Sequence, residues 1–149
     1  MKIGIAMNVV LVSLALSLGS VGLGYGADGV APRWDPDAFR VQSTTLEIMT
    51  VGTEEGEHWT RLWWVVVDGQ VYVQLGDPAF KRVQENFARP YVVVKIAGQK
   101  FDRVRLEAAP DMKEKVAAAM AAKYPRDDAL LRQSHPTTVR LVSEPPSQH

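Results

Sequence analysis

Arg61, Trp63, Lys81, Arg82 and Lys95 are the residues whose types and placement could do chemistry in this chain. A guanidinium offers a planar fork of donors that fits phosphate or carboxylate, and a lysine ammonium adds a mobile point charge. An indole beside them offers a face on which a planar ring can rest. Arg61 falls in register with Trp59, Trp63 and Val65, and Lys95 interrupts the apolar run from Tyr91 to Ile96. Arg103 and Arg105 share the face of Phe101. A cation inside a strand pattern must be exposed, paired or bound to an anion, because an unpaired buried charge is strongly disfavoured. Two readings stay open. The cations face solvent and pair with Glu47, Asp102 or Glu107, or they line a pocket for a small planar or anionic ligand.

Other chemistries lack their residues. The chain contains no cysteine, so no thiol nucleophile exists. Its histidines, His58, His135 and His149, show no metal-ligand spacing. Ser134 and His135 are adjacent, but no Gly-x-Ser-x-Gly elbow accompanies them. No catalytic residue and no metal set are assigned.

The elements that would position these side chains are legible around two turns. Asp68-Gly69 sits between Trp59–Val67 and Gln70–Leu75, and Asp-Gly suits a tight hairpin turn with positive φ at both central residues. A second hairpin spans 91–96 and 101–107 around residues 97–100. Asp35-Pro36 opens a short helix ending near Val41, and residues 43–51 form a first strand. Gly52 to His58 reads as a polar loop, its acidic run a solvated turn. Asp77-Pro78 opens a helix through about Ala88. Asp111 and Glu114 make a capping-box pattern for a helix over 112–123, with Met112, Val116, Ala119 and Met120 on one face. A last strand covers 137–142.

This order predicts a mainly β fold with short helices, a six-stranded antiparallel barrel that removes exposed edges. Trp63 and Trp64 must point to opposite faces of their strand, so both faces are expected to be covered.

The first 26 residues differ from the rest. One charge, Lys2, precedes an apolar run from Ile3 to Leu18 and a stretch of small residues, the layout of a secretory signal. Residues 1–26 are thus expected to be a signal peptide, with an uncleaved anchor as the alternative. Residues 27–142 form the barrel domain, and 143–149 a flexible tail. The expected location is exported, periplasmic or secreted, or else anchored by the N-terminal segment. After cleavage roughly 120 residues remain, enough for a core to hold without disulfides. The 149-residue chain balances 17 Lys+Arg against 17 Asp+Glu, so no bulk attraction to nucleic acid or membrane is expected.

The residues 59–107, then Ala121–Pro125, then Thr137–Leu141 resemble an uncharacterised bacterial family of the FMN-binding split-barrel superfamily, which includes pyridoxamine 5′-phosphate oxidase. The resemblance implies a split barrel, FMN as cofactor and a homodimer. It implies a strand arginine on the flavin phosphate, matched by Arg61. A Ser-Arg-Lys element would fall on Phe80, Lys81 and Arg82, which keep the charge but lack the hydroxyl. Two functions follow as expectations: an exported module that binds a small planar or anionic ligand without turnover, and a flavin-dependent oxidoreductase. The choice between binding and catalysis stays open. Trp59, Trp63, Trp64 and Tyr72 supply aromatic surface that a second subunit is expected to share.

Overall fold

A computed structural model describes residues 31–42 and 45–145. The expected signal segment, 1–26, and the last part of the expected tail, 146–149, lie outside the described residues. Among the described residues no helix is long and apolar enough to cross a membrane.

The chain runs α1 (Pro36–Gln42), β1 (Leu46–Gly52), β2 (Gly56–Leu62), β3 (Trp64–Val67), β4 (Gln70–Leu75), α2 (Asp77–Gln84), β5 (Tyr91–Ile96) and β6 (Gln99–Ala108). A 3₁₀ turn (Pro110–Met112) then leads into α3 (Lys113–Lys123), α4 (Asp128–Ser134) and β7 (Thr137–Ser143). The seven strands form one sheet in the order β2-β1-β5-β6-β7-β4-β3. Every pairing is antiparallel.

The split barrel is as the sequence predicts, with seven strands rather than six. The difference lies at Trp63. The apolar run from Leu62 to Val67 carries no glycine or proline to mark a corner. Yet β2 pairs with β1 and β3 pairs with β4, so the two outermost strands of the sheet are contiguous in sequence. One residue carries the chain from one edge to the other, and the sheet curls to bring those edges together. The expected loop before Trp59 is also shorter, because β2 already begins at Gly56.

Side-chain alternation fills the inside. Leu46, Ile48, Leu62, Trp64, Val71, Val73, Leu75, Val92, Val94, Phe101, Val104, Val139 and Leu141 form the barrel core. Phe39 of α1 closes one end, meeting Trp34 and Phe101 edge-to-face at 5.2 and 5.7 Å. The Asp35 carboxylate accepts the Ala38 N–H at 3.2 Å, as its capping role predicts.

A second apolar layer lies outside the β3–β4 hairpin. Val65 and Tyr72 pack there against Val116, Met120 and Leu131 of α3 and α4. This answers where the large aromatics go. Trp64 and Tyr72 are buried within the chain, so they offer a second subunit nothing. The barrel core takes Trp64, and helix α3 covers Tyr72.

Two helix boundaries are corrected. Helix α2 ends at Gln84, not Ala88, and Asp77 lies inside it, with Gly76 at the cap position. A β-carbon on Gly76 would stand 3.0 Å from the Ser134 carbonyl oxygen, so the close approach of α4 favours glycine there. Helix α3 starts after a 3₁₀ turn and receives no side-chain cap from Asp111. Helix α4 has no counterpart in the sequence reading. Ser143 ends β7, and the Glu144 N–H donates to the Arg103 carbonyl at 2.8 Å, so the held chain runs past Val142.

Candidate functional site

The corner between β2 and β3 builds the site. Trp63 points outward there, because Leu62 and Trp64 on either side point into the core. Its indole Nε1 donates to the Asp127 carboxylate at 3.1 Å, and its ring meets the His135 ring edge-on at 5.3 Å. Burial pushes the His135 pKa down. The Tyr124 hydroxyl donates to the Trp64 carbonyl oxygen at 3.1 Å, and burial pushes that phenol upward. The end of β2 and the segment joining α3 to α4 thus converge on one indole.

A cavity of about 370 Å³ opens at this corner, lined by Thr45, Arg61, Leu62, Trp63, Tyr124 and Asp127. Two of the sequence-predicted residues, Arg61 and Trp63, therefore meet at one cavity. The Arg61 side chain is 71% exposed, and its guanidinium stands 3.7 Å from Glu47, a loose surface pair. Such pairs contribute at most about 1 kcal/mol, so an incoming anion can displace this one. The cavity offers a guanidinium, an indole, a phenol and a carboxylate, a set suited to a planar molecule with an acidic edge.

The other expected ligands stand elsewhere. Glu47 is the cross-strand partner of both Arg61 and Lys95, so these three form a row across β2, β1 and β5. Lys95 is two strands from Arg61, about 10 Å away at normal strand spacing. It caps the Trp59 ring, with Nζ 4.0 Å from the centroid. Lys81 pairs with Glu85 at 3.9 Å along α2. The Arg82 Nε reaches both carboxylate oxygens of Glu55 at 3.2 Å, and Glu55 also meets His58 at 3.0 Å. The Arg82 hydrogen bonds hold the Glu55 pKa below its ordinary value. Glu55 is thus a tether between α2 and the β1–β2 turn, not only a solvated charge.

Arg61 lies five residues along β2 from Gly56, beside that tether, or about 17 Å of extended chain. Within one chain, Arg61 and the Lys81–Arg82 pair are therefore separate groups, each with its own carboxylate. A clamp of all three cations on one FMN phosphate is not assembled there.

Sequence reasoning missed Tyr124 and Asp127. Tyr124-Pro125 reads as a helix end, and the only signal for Asp127 is its position before the short apolar turn of α4.

The sequence matches no protein-family model and no curated protein. Solved structures do match. The heme storage protein HutZ from Vibrio cholerae superposes with a TM-score of 0.57 at 18% identity, over 73% of this chain and 87% of that one. An F420-H2 dependent reductase, FDR-A, gives 0.51 at 15% identity, over 66% and 94%. A pyridoxamine 5′-phosphate oxidase candidate from Listeria innocua gives 0.50 at 17%, over 72% and 90%. These likenesses show the fold: this chain is a split barrel.

Proposed function

We propose that this chain is an exported split-barrel protein that binds a small planar, anionic ligand at the β2–β3 corner. The cavity that joins Arg61 to Trp63 and Tyr124 carries the reading. A ring would lie against the indole and phenol, and an acidic group would displace Glu47 from Arg61. The fold neighbours are consistent with it, since they include a heme storage protein, an F420-H2 dependent reductase and a pyridoxamine 5′-phosphate oxidase candidate. The layout of residues 1–26 supports export.

The outward face of β2, β1 and β5 supports a homodimer. Trp59, Met49 and Val93 stand side by side there, since Met49 is opposite both of the others, and all three are only half-buried in one chain.

The test is calorimetric titration of the purified protein with hemin, FMN, F420 and pyridoxal phosphate, repeated on Arg61→Ala. Saturable binding that Arg61→Ala weakens about tenfold or more, at unchanged melting temperature, supports the reading. Absence of binding by all four, or equal binding by the variant, overturns it. An oxidoreductase reading stands only on flavin that stays bound and is reduced and reoxidised.

A further inference from the structure

A larger cavity lies away from that corner. It has a volume of about 590 Å³ and lies between α2 and the sheet, walled by residues that include Phe80, Val83, Val92, Leu106 and Val139. It shares no lining residue with the corner cavity. Its size is that of a small-molecule site.

Helix α2 shows that the space is a gap in its packing. Ala79, Phe80 and Val83 form its apolar face, yet all remain only partly buried against the core, and no residue of α2 is fully buried. A helix that lays an apolar face over a sheet normally closes the space beneath it. Here the walls are aliphatic on the sheet side, with Leu75, Val92, Leu106, Ala108 and Val139, and contain no indole or phenol. Such walls suit a flexible alkyl chain, with the Phe80 ring facing it from the helix side.

The polar lining is sparse and mostly committed. Asn86 accepts the Val51 and Ala88 N–H groups at 2.9 and 3.3 Å and donates to the Tyr91 carbonyl at 2.8 Å. It is a strut, not a ligand donor. Arg89 is the one ionisable side chain in the lining. No carboxylate lies within ion-pair distance of it among the described residues, in contrast to Arg61, Arg82, Arg103, Arg105, Arg132 and Arg140.

We infer that the cavity beneath α2 is a binding site for a straight-chain carboxylate amphiphile, with the alkyl chain between α2 and the sheet and the carboxylate on Arg89. The charge complements the one cation in the lining, and the chain fills the aliphatic gap.

Calorimetry of the full chain with hexanoate, octanoate and decanoate tests this. Affinity should rise about fourfold per added methylene, from about 0.8 kcal/mol per buried CH₂. Arg89→Ala, at an exposed side chain, should weaken decanoate about tenfold or more. Val83→Trp should block the site, and Arg61→Ala should leave it unchanged. Decyltrimethylammonium, with the opposite head charge, should bind worse than decanoate. No saturable decanoate binding, equal affinity in Arg89→Ala, or equal affinity for the cationic amphiphile would overturn the assignment. The Arg61→Ala arm separates this site from the corner cavity, so either can fail alone.

Discussion

The ammonium of Lys123 stands 3.5 Å from the centroid of the Trp64 ring and donates a 2.9 Å hydrogen bond to the Trp64 carbonyl oxygen. The last residue of α3 is thereby fastened to the first residue of β3. Desolvation pushes the Lys123 pKa down to about 8 from its ordinary 10.5. The ring face and the carbonyl oppose that shift, since both favour the charged amine.

The pH dependence follows from the proton count. The folded chain releases this proton near pH 8, and the unfolded chain near 10.5. Between those values the unfolded state holds more protons, so this group makes stability rise with pH across that window and adds no slope below it. Urea midpoints measured from pH 7 to 10.5 should show that component in the native chain and lack it in Lys123→Met. A matching slope in both would refute the shift. Acylating reagents at pH 8 should also modify Lys123 ahead of Lys81 and Lys100, whose side chains are 73% and 58% exposed.

Trp64 itself separates volume from hydrogen bonding. It is fully buried, and its Nε1 has no acceptor among the described residues. Trp64→Ala should cost about 3–5 kcal/mol through the cavity it leaves. Trp64→Phe loses less volume and also removes a donor whose burial unpaired costs about 1–3 kcal/mol. Chemical denaturation should therefore place Trp64→Phe within about 1.5 kcal/mol of the native chain. A loss equal to that of alanine would mean that the indole N–H is satisfied after all.

Asn86 predicts a larger polar effect than its position in a turn suggests. It is 3% exposed, and its amide joins β1, the turn after α2 and the start of β5. Asn86→Ala strands the Val51 N–H and the Tyr91 carbonyl, for about 2–3 kcal/mol in total. Asn86→Asp keeps the acceptor but loses the donor to Tyr91. Melting curves should rank native above Asp and Asp above Ala; an alanine variant that melts with the native chain would remove Asn86 as a strut.

The contrast between legible and hidden features has physical causes. Asp68-Gly69 was readable because positive φ at consecutive residues restricts composition, and they adopt φ of 50 and 73°. The face of α3 was readable because burial repeats with the helix period, at Val116 and Met120. The corner at Trp63 was not, because a strand that bends and changes partner keeps the same alternation of side chains. Helix α4 was hidden by its length of seven residues and by Leu130, which is apolar yet 50% exposed. At the site, Arg61 and Trp63 come together because they are two residues apart on one strand. Lys81 and Arg82 stay apart from them: Lys81 turns to Glu85 four residues along its own helix, and helix packing, which sequence spacing does not encode, turns Arg82 toward Glu55.

The second hairpin offers a stabilising substitution. Its turn is the two residues Ala97 and Gly98, with φ of 52 and 71°, and β6 already begins at Gln99. A β-carbon disfavours that region by roughly 1–2 kcal/mol, whereas Asn tolerates it. Ala97→Asn should stabilise the chain by about 0.5–1 kcal/mol and raise its melting temperature by a few degrees. A neutral or lower value would show that the half-buried Ala97 methyl, which packs on the core, matters more than its backbone strain.

Glu144 sets the acid limit on the other side of the barrel. Its carboxylate accepts the Tyr91 hydroxyl and pairs with Arg105, while the Arg103 guanidinium reaches it at 3.4 Å and the Tyr91 hydroxyl at 2.9 Å. The Tyr91 hydrogen bond, then the two arginines, hold the Glu144 pKa below its ordinary 4.5. The stabilisation is therefore complete above pH 4.5 and is lost as pH falls through the depressed folded value. Glu144→Gln removes that titration. Below the folded pKa both chains lack the charge, so the gap between their stabilities should be widest near neutral pH and shrink on acidification. Fluorescence-detected urea titrations at pH 7 and pH 3 would measure it. A gap that is constant between the two would show that Glu144 acts only as a neutral acceptor for Tyr91, and that its pairing with Arg103 and Arg105 contributes nothing to the fold.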